Sequence, residues 1–72
     1  MKFSIGQQFK GIYRKHHVIF EVTGFCHTND NENDTLVALN IFLTRSKTNR
    51  QDVIPAICFE NLIVKEIKPN NA

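Results

Sequence analysis

The sequence predicts an all-β (mainly β) domain of five short antiparallel strands. Three observations carry that expectation. No segment keeps an apolar stripe at helical spacing for three turns. Residues 17–27 (His-Val-Ile-Phe-Glu-Val-Thr-Gly-Phe-Cys-His) are dense in β-branched and aromatic side chains, which pack well on a pleated surface. Residues 35–43 place Val37, Leu39, Ile41 and Leu43 on one face of an alternating strand.

The elements follow in order. Phe9 to Tyr13 reads as a first short strand and His17 to His27 as a long second one. Gly24 inside the second strand marks a bend or bulge, which lets one strand serve both halves of a curled sheet. The third strand, Thr35 to Leu43, carries Leu36, Ala38 and Phe42 on its second face. A strand apolar on both faces belongs in the middle of a closed or sandwiched sheet. Val53 to Cys58 is the fourth strand. Pro55 has no N–H for a ladder, so this strand is expected at an edge or starting at a bulge. Phe59-Glu60-Asn61 suits one tight turn of 3₁₀ type, and Leu62 to Lys68 forms the fifth strand. Five short strands must hide their edges, and curling into a barrel does so. The element order is that of a small SH3-like antiparallel barrel; the alternative, a flat sheet packed on a short helix, lacks a good helix. Residues 1–68 are read as one domain and 69–72 as a frayed C-terminal tail.

Composition narrows the function classes. A chain of 72 residues supports one domain with a thin core, and a thin core leaves little room for an enclosed substrate cavity. The hydrophobic content of 42% is too high for a disordered chain. No apolar run approaches the ~20 residues that span a bilayer. The first residues, Met1-Lys2-Phe3-Ser4-Ile5-Gly6, contain no signal-peptide core, so a cytoplasmic location is expected. Cys26 and Cys58 sit among apolar residues and are read as small core side chains rather than a disulfide.

Several segments together resemble a family of short uncharacterised bacterial domains. They are Gly11-Ile12-Tyr13-Arg14-Lys15-His16, Phe20-Glu21-Val22-Thr23-Gly24, His27-Thr28, Glu32, Leu36-Val37 and Val53-Ile54-Pro55-Ala56-Ile57-Cys58-Phe59. That family has a Gly-x-Tyr-Arg-His opening, a Tyr-Glu-Val-x-Gly centre and a Val-x-Pro-x-x-x-Phe close. The resemblance covers roughly residues 11 to 64 and implies an SH3-like barrel of unknown function with no catalytic residues. The chain departs from the pattern in two places. Asp52 stands where the family has an aromatic, and His17-Val18 where it has a Lys-Gly turn.

Charge placement points to a binding end. Successive loops of an antiparallel meander alternate between its two ends. Arg14, Lys15, His16 and His17 in the first loop therefore share an end with Arg45, Lys47 and Arg50 in the third, 44–52. The acidic second loop, 28–34, falls at the other end. Such a cationic end attracts phosphate backbones or acidic protein surfaces. Other chemistry lacks its pattern. The acidic loop has neither the sixth-position Gly nor the twelfth-position Glu of a calcium loop. His16, His17, Cys26, His27 and Cys58 lack zinc-site spacing. Cys26 and His27 are strand neighbours that face apart, and no glycine loop cradles phosphate. No cofactor, metal or enzymatic activity is expected.

Two functions remain. The first is a binding module that docks on a protein partner; a phage or mobile-element inhibitor of a host protein belongs to this class, and so does a homodimer through an exposed edge strand. The second is nucleic-acid binding through the basic loops, for which Tyr13 and Phe25 are the candidate stacking platforms. The first is preferred, because the basic excess is only +2 and most of the six Phe residues are needed in the core.

Overall fold

Residues 3–27 and 35–68 are described by the structure, a computed structural model. The acidic segment 28–34 and the tail 69–72 lie outside the described residues. Five strands form one antiparallel sheet: β1 (Gln8–Tyr13), β2 (His16–His27), β3 (Thr35–Leu43), β4 (Thr48–Pro55) and β5 (Ile63–Ile67). A single helical turn, α1 (Ala56–Glu60), lies between β4 and β5. The strand order is β4-β3-β2-β1-β5. The first four strands make a meander, and β5 returns to pair with β1.

Side-chain alternation builds the core on one face. Phe9, Tyr13, Val18, Phe20, Val22, Val37, Leu39, Ile41 and Ile54 are buried there. Phe59 of α1 lies against this face with no exposed surface, its ring 5.1 Å from Phe20 and 5.6 Å from Phe9. Phe3 adds its ring at 5.0 Å from Phe59. These edge-on and tilted contacts are the arrangement aromatic quadrupoles favour.

Gly11 is a glycine because the chain passes too close for a side chain. A Cβ there would sit 2.2 Å from the Leu62 carbonyl oxygen and 2.6 Å from the Phe20 ring. The Ile12 N–H donates to that same carbonyl at 3.1 Å, fastening the start of β5 to β1.

Several expectations are corrected. Among the described residues the sheet is not closed into a barrel by hydrogen bonds, since β4 and β5 stay at its opposite edges. The turn expected as 3₁₀ over 59–61 is an α-helical turn beginning at Ala56, directly after Pro55. Proline ends the ladder by lacking an N–H and is well tolerated where a helix begins. The fourth strand accordingly ends at Pro55, not Cys58. It begins at Thr48, five residues before the expected Val53. Thr48 to Gln51 are all exposed, so no apolar alternation announced them; pairing with β3 makes them a strand.

Neither cysteine is in the core; both are exposed and free. For Cys26 the cause is a β-bulge. The pairing runs Val22↔Leu39 and then Gly24↔Ala38, leaving Thr23 as an extra residue beside the expected Gly24. One inserted residue exchanges the faces, so Phe25 pairs with buried Val37 while Cys26 turns outward. Cys58 lies on the solvent side of α1 while its neighbour Phe59 points inward.

Candidate docking end

The two basic turns lie side by side. Tyr13 pairs with His16, so Arg14 and Lys15 alone make the first turn. Their φ values are 50° and 69°, both positive as a mirror-image two-residue turn requires. Leu43 pairs with Thr48, which leaves residues 44–47 as the second turn. The Lys47 N–H closes it by donating to the Leu43 carbonyl at 2.8 Å, with Lys47 itself at φ 55°. The Thr44 hydroxyl ties the second turn to the start of β2, next to the first, by donating to the His17 carbonyl at 3.2 Å.

Arg14, Lys15 and Lys47 are the only non-glycine residues at positive φ among the described residues. All three are cations in these two turns. An L side chain resists this conformation, and Gly or Asn would adopt it more easily.

Behind the turns, the Tyr13 hydroxyl donates to Asp52 Oδ2 at 2.5 Å. The bond runs from β1 to β4, past β2 and β3. Neighbouring strands are about 4.8 Å apart, so a flat sheet would hold β1 and β4 roughly 14 Å apart. The sheet therefore curls until a phenol on one strand reaches a carboxylate three strands away. Asp52 Oδ1 accepts the N–H of Val53 at 2.8 Å.

The electrostatics follow from this contact. The Tyr13 hydrogen bond is the main cause holding the Asp52 carboxyl below its ordinary value. The Val53 N–H and the Arg14 and Arg50 charges act the same way, while burial opposes them. Tyr13 is pushed upward, first by donating to Asp52, then by burial and the nearby negative charge; Arg14 and Arg50 work against this. The Arg14 guanidinium carbon lies 5.2 Å from the centre of the Tyr13 ring, within cation–π range.

The expected site residues divide into three groups. Arg14 and Lys15, with Arg45 and Lys47, occupy the two turns at this end of the sheet. Arg50 is not in a loop. It sits on β4 opposite Ile41, and its charge acts on Asp52 together with that of Arg14. His16 and His17 are not in a loop either, because the turn is only two residues long and they open β2. His17 instead lines an open groove of about 450 Å³ with Lys10, Ile19 and Val64. Asp52 was missed as a contributor. The available signal was Tyr13, a core-facing strand residue whose hydroxyl needs a partner when buried.

The fold and these contacts define a small, curled, antiparallel β domain with a cationic end. Among the described residues, no three His, Cys, Asp or Glu side chains gather into a metal site, and no helix is long and apolar enough to cross a membrane. No family model, curated protein or solved structure matches the chain.

Proposed function

We propose that this protein is a non-enzymatic docking module whose cationic end takes an acidic surface of a protein partner. The observation that carries this is the placement of Arg14, Lys15 and Lys47 in left-handed turn positions. Strained backbone persists where something outweighs its cost, and such residues cluster at functional sites. Here the feature that Gly or Asn would lose is positive charge. Exposed, unpaired thiols at Cys26 and Cys58 suit a reducing compartment, which we take to be the cytoplasm.

The nucleic-acid reading fits less well, because its parts are separated. Tyr13 is 7% exposed, with its hydroxyl engaged by Asp52, so it offers little face to a base. Phe25 is 39% exposed but pairs with Val37, at the far end of the sheet from the basic turns.

The test is affinity capture with the intact chain at moderate salt after nuclease treatment. It compares the native protein with the triple variant Arg14→Glu, Arg45→Glu, Lys47→Glu. The native chain is expected to retain a protein partner that the variant loses. Equal capture by both would overturn the proposal. Capture that disappears with nuclease, together with steeply salt-dependent binding to DNA or RNA, would replace it with the nucleic-acid reading.

A further inference from the structure

The sheet has an edge that is complementary to itself. β4 is eight residues long and, among the described residues, pairs on one side only, with β3. Thr48 to Gln51 and Val53 are exposed along it. An exposed strand presents N–H and C=O groups that can act as a template for another strand; on β4 the Val53 N–H already donates to Asp52 and Pro55 has no N–H, so the template lies in the part before Val53.

Symmetry restricts how two copies could pair here. In an antiparallel ladder, hydrogen-bonded and non-hydrogen-bonded residue pairs alternate. A twofold axis normal to the sheet makes the interface isologous, so residue i meeting j requires j to meet i. Both conditions hold only when one residue sits opposite its own copy. Centring on Arg50 would set cation against cation, and centring on Asp52 carboxylate against carboxylate. Centring on Asn49 or Val53 would leave both charges facing uncharged residues. Centring on Gln51 sets Arg50 against Asp52 of the partner subunit, and Asp52 against Arg50 of the partner subunit.

The side chains suit this register. Arg50 is opposite Ile41 and Asp52 opposite Leu39 in the β3 ladder, which puts both on the core-side face, where cross-strand neighbours meet. Asp52 spends one acceptor position on Tyr13 and one on Val53; a carboxylate has about four, so capacity for a guanidinium remains. We infer that two copies of this chain associate through β4, antiparallel about Gln51, joining two five-stranded sheets into one continuous sheet with a pair of Arg50–Asp52 contacts. The association runs along the free edge of β4, which adjoins the second basic turn at Lys47, and its pairing does not depend on what those turns bind.

A contact of this kind is at the small end of stable interfaces, so a reversible, concentration-dependent dimer is expected. Sedimentation equilibrium over roughly 5–500 µM should show monomer passing to dimer, a range in keeping with a small interface. Arg50→Asp sets carboxylates against Asp52 at both symmetric contacts and should weaken the dimer about tenfold or more. A second measurement uses exposed positions, so that folding is preserved. In a Cys26→Ser, Cys58→Ser background, single cysteines are placed at 49, 51 or 53, which share the outward face. Only Gln51→Cys faces its own copy, so mild oxidation should cross-link it about tenfold faster than Asn49→Cys or Val53→Cys, whose copies are several residues removed. A native chain that stays monomeric over the whole range would overturn the inference. So would cross-linking that is fastest at 49 or 53.

Discussion

The two edges of the sheet are built differently. β5 has five residues, and its register with β1 jumps from Lys10↔Lys65 to Gly11↔Ile63, leaving Val64 as a bulge. β4 has eight residues and an unbroken ladder from Leu36↔Pro55 to Leu43↔Thr48. A short, bulged edge discourages further pairing, whereas a long, regular one invites it. Their anchors differ as well. The entry to β5 is held backbone to backbone where Leu62 passes over Gly11, while β4 is tied across the curled sheet by the Tyr13–Asp52 side-chain bond. One edge is closed by chain geometry, and the other is kept in place while remaining open.

The largest expected effect removes what the edges share. Phe59 follows β4 and precedes β5, and its ring is packed among Phe3, Phe9 and Phe20. Phe59→Ala should cost about 3–5 kcal/mol. A domain of this size has roughly 4–10 kcal/mol in total. Urea unfolding followed by circular dichroism should therefore show a protein near or below its folding threshold. A loss under about 1 kcal/mol would mean that α1 does not join the two edges to a common core.

Gly11→Ala should separate the edges. The new Cβ meets a backbone oxygen, which cannot rotate away as a side chain can. The expected cost is about 2–3 kcal/mol, in the range of overpacking. It should appear in hydrogen exchange as faster opening of β5 amides than of β4 amides. Equal acceleration of both would show that the edges open as one unit.

Tyr13→Phe should loosen the other edge, costing about 1.5–3 kcal/mol as the loss of a hydrogen bond to a charged group. It should also flatten the pH profile. Asp52 has its carboxyl lowered from 3.8 in the folded state, so its contribution is present above that value and lost as pH falls through the folded value. Tyr13 has its phenol raised from 10.0, so its contribution is complete below that value and lost as pH rises through the folded value. Melting temperature measured from pH 2 to 11 should therefore fall at both extremes for the native chain, and less for Tyr13→Phe. Parallel profiles would detach this bond from the stability of β4.

The smallest effect has the opposite sign and involves neither edge. Lys15→Gly relieves a lysine at φ 69°, and should stabilise by about 0.5–1 kcal/mol, a few degrees in melting temperature. An unchanged or lower melting temperature would argue against strain in this turn.

Much of the fold was legible because alternation is a local signal. β1, β2 and β3 were readable from their own residues, and Pro55 correctly marked an edge strand. What escaped depended on partners distant in sequence. The first half of β4 is polar, and only its ladder with β3 makes it a strand. The outward turn of Cys26 rests on one extra residue at Thr23, which shifts the phase of everything after it. Of the candidate site, the sharing of one end by the two basic turns was readable from meander geometry alone. The Asp52 contact was not, because nothing local to residue 52 signals a phenol thirty-nine positions earlier.

Three cations in left-handed turns set folding robustness and charge at odds. A library selected for heat resistance alone would drift toward Gly and Asn at 14, 15 and 47. Each such step removes a positive charge, and all three together would take the formal net charge from +2 to −1. The toughest variants would then carry the reverse sign of the native protein, so thermal ruggedness is a poor guide to choosing versions of this chain for binding work.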